Sequence, residues 1–182
     1  MFIQTEQTPN PSTLKFIPGE VVLENGTMFF ENKTDAEQSP LAQALFEIEG
    51  VSAVFFGNDF ITIENPEQDW DNLKPAILGT IMEHYTAGLP IMTGEATQQI
   101  MDDDADPEIV EQINELLETR VRPAVARDGG DITYHGFKDG VVYLRMQGAC
   151  SGCPSSTATL KYGIQNLLKH YIPEVESVEP VE

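Results

Sequence analysis

Cys150 and Cys153 are the only two cysteines in the 182-residue sequence, and two residues, Ser151 and Gly152, separate them. Two thiolates at this spacing can hold one metal ion or one iron–sulfur cluster, or they can close a redox disulfide. They supply only half of the four protein ligands that iron–sulfur clusters and structural zinc sites use. Either a second copy of the chain provides the missing ligands, or the pair performs thiol chemistry.

The cysteine pair stands between a predicted strand and a predicted helix. Pro154 suits the first helical position, and Ser155 or Ser156 can cap the helix. Free amides at a helix start favour anions, so we expect a lowered pKa for Cys153 and for Cys150. Small residues predict an accessible loop with room for a cluster or a second protomer; they are Gly148, Ala149, Ser151 and Gly152.

Three other interpretations of the pair are open at this point. The cysteines could be two small buried apolar residues, although the neighbouring glycine, serine and proline residues fit burial poorly. A zinc site would need two further ligands, and His84, His135 and His170 are scattered along the chain. A dithiol–disulfide oxidoreductase is the third, although such sites usually carry proline between the cysteines rather than after them.

The chain is strongly acidic, with 30 acidic and 10 basic residues and a formal net charge of −20. Phosphate backbones and anionic lipid would repel it, so we expect neither nucleic-acid nor membrane binding. No apolar stretch is long enough to span a bilayer, and residues 1–6 show no targeting pattern. A single cysteine pair in such a chain favours a reducing compartment.

Composition and periodicity predict two small α+β domains. We expect one domain at residues 1–90, an acidic flexible linker at 91–105 and a second domain at 106–182. The linker contains Gly94 and the run Asp102–Asp104. The first domain should end on an amphipathic helix at 71–85, whose apolar stripe consists of Leu73, Ile77, Ile81 and Tyr85.

The rest of the first domain should form a sheet with a helix packed on it. Strands are predicted at 13–17 and 27–31, and a hairpin at 51–63 turns at Gly57-Asn58-Asp59. A short helix should begin at Ser39-Pro40. Its apolar face should carry Leu41, Leu45 and Ile48.

The second domain should have the order α-β-β-α-β and a three-stranded sheet. Asp106-Pro107 should begin the first helix, and Pro123 should kink or restart it. Two strands at 132–137 and 141–146 should flank an Asp-Gly turn. A helix at 155–171, with Tyr171 facing inward, and an edge strand at 175–181 should follow. Asp128 and Asp131 are explained as turn formers.

With these residues in view, the chain resembles the NifU-like (Nfu) iron–sulfur proteins over nearly its whole length. In the second half the resemblance is carried by Arg122-Pro123, Asp128-Gly129-Gly130-Asp131, Gly148 to Ser156, Thr159 to Ile164 and Pro173-Glu174-Val175. In the first half it is carried by Thr8 to Pro11, Leu14 to Gly19, Gly50-Val51 and Phe55 to Thr62.

The resemblance implies a non-enzymatic iron–sulfur cluster carrier. Two protomers would share one [4Fe–4S] cluster, or a [2Fe–2S] cluster, through Cys150 and Cys153 of each chain. The cluster would arrive from an upstream assembly scaffold and pass to apo-proteins. We expect a bacterial cytoplasmic protein, or a mitochondrial matrix protein if the chain is a processed form.

Overall fold

The chain forms two compact units, Met1–Thr97 and Gln98–Glu182. The structure is a computed structural model that describes residues 2–24, 26–93, 106–150 and 154–181, with residues 154–156 described by their backbone. The linker residues predicted at 94–105 therefore lie outside the described residues. Among the helices that are described, none is long and apolar enough to cross a membrane.

The first unit is a five-stranded antiparallel sheet with two α-helices packed on it. Its strands are β1 (Gln4–Gln7), β2 (Thr13–Ile17), β3 (Met28–Phe30), β4 (Ala53–Phe56) and β5 (Ile61–Glu64). Its helices are α1 (Pro40–Phe46) and α2 (Trp70–Thr86), and a 3₁₀ turn covers Asp35–Gln38. The strand order is β1-β2-β5-β4-β3, so the predicted strands and hairpin are confirmed.

Alternating apolar residues explain the first core. Leu14 and Phe16 of β2 and Ile61 and Ile63 of β5 are buried on the same face of the sheet. The helical stripe predicted for α2 packs on this core, with Ile77 and Ile81 fully buried. The position of α2 is thus set by its 3.6-residue period.

The residues after α2 are held on the first unit. Ser39 caps α1 as predicted, because its Oγ accepts from the amide of Ala42 at 3.1 Å. The same hydroxyl donates to the carbonyl of Ile91 at 2.6 Å. The amide of Thr93 donates to the carbonyl of Gln38 at 2.7 Å. Residues 91–93, expected in the linker, therefore hydrogen-bond to the first unit.

The second unit has the predicted α-β-β-α-β order. A helical stretch opens it, as α3 (Pro107–Leu116), a π-helical segment (Leu117–Val121) and α4 (Arg122–Arg127). Next come β6 (Gly130–Lys138), β7 (Val141–Gly148), α5 (Pro154–Tyr171) and β8 (Ser177–Val181). The sheet order is β6-β7-β8, with β6 antiparallel and β8 parallel to β7.

Local signals set the boundaries of these elements. Asp106 caps α3 through its carboxylate, and α4 restarts after the π segment with Pro123 in its first turn. Asp139 and Gly140 both have positive φ, as the hairpin turn between β6 and β7 requires. One prediction is wrong: Tyr171 is exposed. Its ring makes a cation–π contact with the Arg120 guanidinium instead of entering the core.

Candidate functional site

Cys150 lies two residues beyond the end of β7, and α5 begins at Pro154. The predicted cysteine loop is therefore the β7–α5 connection. Cys153 itself, with Ser151 and Gly152, lies outside the described residues. The hydroxyl of Thr157, in the first turn of α5, donates to the carbonyl of Cys150 at 3.3 Å. This bond joins the start of the loop to the helix that follows it.

Glycines at the ends of β6 and β7 bring the Asp128–Asp131 run next to the start of the cysteine loop. Gly130 pairs with Gly148 in the β6–β7 ladder, and the amide of Ala149 donates to the carbonyl of Gly129 at 3.2 Å. Gly129 has φ +79° and Gly148 has φ +63°, a conformation that glycine adopts without strain. The turn after α4 thus forms one wall against the start of the cysteine loop.

Cys150 is buried, with only 6% of its surface exposed, and it belongs to the apolar core of the second unit. Its Sγ occupies the space where Gly130 lacks a side chain, because a Cβ built on Gly130 would lie 2.4 Å from that sulfur. The predicted access is therefore wrong for Cys150.

The predicted direction of the Cys150 pKa is also wrong. Burial raises the pKa of the Cys150 thiol to about 12, and the charges of Asp128 and Asp131 act in the same direction. Burial penalises the thiolate because the low-dielectric interior solvates a charge poorly. In this conformation Cys150 packs as a neutral thiol.

Arg122, which is partly exposed, and the buried Asp131 form an ion pair that was not predicted from the sequence. Arg122 donates from Nε to Oδ1 of Asp131 and from one terminal nitrogen to Oδ2, both at 2.9 Å. Asp131 is buried, whereas the second acidic neighbour of the guanidinium, Glu118 at 3.4 Å, is exposed. Two parallel bonds fix both side chains, so the pair connects α4 to the first residues of β6.

The π-helical segment sets the position of Arg122. The amide of Arg122 donates to the carbonyl of Leu117, five residues earlier, instead of to the residue four earlier. A π segment shifts the residues after it around the helix axis. The signal available in the sequence was that Arg122 and Asp131 both stand in runs that carry the family resemblance.

Two of the three histidines have contacts of their own in the described residues. His84 is buried in the first unit, where its Nε2 lies 3.1 Å from the carbonyl of Pro90, and burial lowers its pKa. His170 stacks edge-on against Tyr171. Within the described part of the chain, no three His, Cys, Asp or Glu side chains form a metal-ligand group.

Replacing Gly130 with alanine should destabilise the second unit and displace Cys150. The new Cβ would lie 2.4 Å from Sγ of Cys150, 2.8 Å from its backbone nitrogen and 2.9 Å from the carbonyl of Gln147. Two of these neighbours are backbone atoms, so we expect a loss of about 1–3 kcal/mol, the usual range for overpacking. Denaturant unfolding followed by hydrogen exchange of the β6 and β7 amides measures it.

Gly163→Ala is the matched control for Gly130→Ala. A Cβ at Gly163, in the middle of α5, would meet nothing within 4 Å. That change should raise the free energy of unfolding by up to about 1 kcal/mol, because alanine favours helix more than glycine does. Equal stability of the two variants would contradict the role given to Gly130.

Comparison with known proteins identifies both units. Residues 3–88 match the model for "Scaffold protein Nfu/NifU N terminal", and residues 113–179 match the model for "NifU-like domain". A human protein, "NFU1 iron-sulfur cluster scaffold homolog, mitochondrial", is 57% identical over 183 residues, covering 100% of this chain and 72% of the human protein. The chain belongs to the Nfu/NifU family of iron–sulfur cluster scaffold proteins.

Other Nfu relatives agree with this assignment. The protein with the same description from Drosophila ananassae is 54% identical over 186 residues, and the chain spans 64% of its length. The solution structure of a NifU-like protein from Saccharomyces cerevisiae is 29% identical, with a TM-score of 0.47, and covers 52% of this chain and 87% of the yeast chain. The human and fly relatives confirm the predicted family, and the helices and sheets of the two units confirm the predicted α+β fold class.

Proposed function

We propose that two copies of this Nfu chain bind one [4Fe–4S] cluster as cargo through Cys150 and Cys153 of each copy. The protein then delivers the cluster to apo-proteins that enclose it with four ligands of their own. The observation that carries the proposal is the cysteine count: one pair per chain, at the β7–α5 connection of a scaffold-family domain. Four thiolates complete a cubane cluster, so two chains related by a two-fold axis suffice.

The packing of Cys150 suggests why such a cargo would be easy to release. Binding a cluster requires Sγ of Cys150 to leave the space beside Gly130, where it is buried in the described conformation. When the cluster leaves, the sulfur returns to that space and its apolar contacts form again. The energy of repacking then offsets part of the energy lost with the iron–sulfur bonds. A carrier benefits from this balance because transfer to a client becomes downhill.

The carrier proposal is non-enzymatic. A dithiol–disulfide oxidoreductase, the alternative from the sequence, needs an accessible thiolate as its nucleophile. Burial disfavours Cys150 as that nucleophile in the described conformation, which leaves Cys153 as the candidate nucleophile for this alternative. Under the carrier proposal we expect the cluster-free protein to be inert in an insulin-reduction assay.

The names of the relatives support a location for the proposed carrier. Human and Drosophila ananassae relatives are mitochondrial by name, so we propose the mitochondrial matrix rather than a bacterial cytoplasm. An upstream scaffold would supply the cluster, and the first unit would influence which client receives it. The net charge of −20 supports protein partners over nucleic acid or membrane.

Cluster transfer tests delivery directly. The protein is reconstituted without oxygen, freed of unbound iron and sulfide, and mixed with an apo-ferredoxin that binds a [4Fe–4S] cluster through four cysteines. We expect the ferredoxin to gain its spectrum faster from the loaded protein than from equal iron and sulfide in solution. Equal rates, or transfer prevented by a chelator that cannot enter a protein complex, would contradict direct delivery.

A further inference from the structure

Four large apolar side chains of the first unit are exposed near the same end of the unit. They are Phe2 (79% exposed), Val21 (56%), Met82 (44%) and Leu89 (52%), and we call them the apolar patch. Single exposed apolar residues are ordinary, whereas a group of them at one place usually marks a binding surface.

Contacts of neighbouring residues link the segments that carry the four side chains. Tyr85 donates from its hydroxyl to the carbonyl of Val21 at 3.4 Å, and Met82 precedes Tyr85 by about one helical turn. The amide of Leu89 donates to the backbone carbonyl of His84 at 3.3 Å, so the chain turns back at the end of α2. A Cβ on Gly19, two residues before Val21, would lie 3.9 Å from the carbonyl of Phe2.

Val21 is held outward by the residues that follow it. The amides of Val22 and Leu23 donate to the carbonyl of Asn58 at 2.7 and 3.2 Å. The side-chain amide of Asn58 donates back to the carbonyl of Leu23 at 2.7 Å. Val22 and Leu23 are buried in the core, whereas Val21 before them is exposed. The exposed valine is thus a fixed feature of the loop.

Negative charge surrounds the apolar patch. Glu20 precedes Val21 and lies near Tyr85, whose pKa is raised to about 12 by burial and, to a smaller extent, by the charge of Glu20. Glu83 follows Met82 and is exposed. Residues 1–97 contain 15 acidic residues and three lysines. Two of these lysines lie against carboxylates, Lys15 at Glu6 and Lys33 at Glu47, and Lys74 is about two helical turns from Met82.

This combination selects one kind of occupant. A second copy of the chain that used the same surface would bring its own Glu20 and Glu83 to these carboxylates, and like charges oppose that contact. A segment with apolar side chains flanked by lysine or arginine would satisfy both the patch and its acidic surroundings.

We propose that the apolar patch binds a basic amphipathic segment of a partner protein that supplies or receives the cluster. This inference rests on the proposed function and names the chemistry of the partner. Apolar side chains of the segment cover Met82, Leu89 and Val21. Its cations lie near Glu20 and Glu83. A surface of this small size gives a transient contact, which suits a carrier that must leave after transfer.

Binding of synthetic peptides to the full-length, cluster-free protein tests the proposal. The probe is a fluorescent 18-residue helical peptide of leucine and lysine, compared with one that has glutamine for leucine and one that has glutamate for lysine. We expect only the leucine–lysine peptide to bind well, with an affinity that falls as salt rises. Met82→Gln with Leu89→Gln should weaken it about ten- to a hundredfold, because each side chain is about half exposed and so loses about half of the stabilisation that full burial of an apolar side chain gives.

Tyr162→Gln is the matched control, because Tyr162 is an exposed apolar side chain of the second unit. Its affinity for the peptide should equal that of the unchanged protein. Fluorescence of Trp70, the single tryptophan, verifies that the first unit stays folded. The proposal is overturned if the patch variant binds as tightly as the control, if the glutamine–lysine peptide binds equally well, or if the patch instead mediates self-association. No iron enters this assay, so its failure leaves the cluster proposal standing, and failed cluster uptake leaves peptide binding intact.

Discussion

Cys150→Ala and Cys153→Ala should each abolish uptake of the cluster while both units stay folded. Each change removes one thiolate per chain, so a dimer would retain two of the four ligands that a cubane cluster needs. Iron and sulfide analysis after anaerobic reconstitution, with the visible absorbance of the cluster, measures the effect. We expect the bound iron to fall at least tenfold relative to the unchanged chain.

Stability must be separated from ligation at Cys150. Because Cys150 belongs to the core of the second unit, its alanine variant should also lose about 1–2 kcal/mol of unfolding free energy. Val142→Ala serves as the control, since Val142 lies in the same core and the variant keeps both thiols. That control should unfold more easily yet load normally. Normal loading of Cys150→Ala would refute ligation by Cys150.

Arg122→Met should be the most destabilising single change in the second unit. It removes the guanidinium that donates two 2.9 Å bonds to the carboxylate of Asp131, and that carboxylate is buried. Breaking one partner of a buried ion pair typically costs about 3–5 kcal/mol, because the remaining charge keeps its desolvation penalty. Denaturant unfolding monitored by far-ultraviolet circular dichroism gives the loss.

Two further variants test this explanation of the Arg122 effect. Glu118→Gln removes the exposed acidic neighbour of the same guanidinium and should cost at most about 1 kcal/mol. Asp131→Asn placed in the Arg122→Met background should recover part of the loss, because it removes the buried charge. Equal effects of Arg122→Met and Glu118→Gln would show that the buried pair contributes little.

Local patterns predicted most of the elements. The apolar stripe that includes Ile77 and Ile81 predicted α2. Ser39-Pro40 predicted the start of α1, and Asp139-Gly140 predicted the turn between β6 and β7. Each of these signals depends only on a few neighbouring residues, so the tertiary contacts of the rest of the chain do not change it. By contrast, β1 has the polar sequence Gln4-Thr5-Glu6-Gln7, so no hydrophobic periodicity predicts it. It forms through backbone pairing with β2.

The sequence predicted the family of the cysteine region but not the environment of Cys150. The spacing of Cys150 and Cys153, with the runs around them, indicated the family correctly. The burial of Cys150 depends on Gly130, a residue twenty positions earlier that contributes an empty space rather than a side chain. The role of Asp131 depends on a π segment that rotates Arg122 toward it. The packing of Cys150 against Gly130 and the Arg122–Asp131 ion pair both join residues that are distant in sequence, so local patterns do not predict them.

The number of chains that share one cluster tests the central claim most directly. The full-length protein is reconstituted anaerobically, and its iron, sulfide and protein content are measured together with its native mass. We expect about four irons and four sulfides for every two chains, in a species of twice the chain mass that separates when the cluster is removed. A single chain carrying a complete four-iron cluster would contradict it.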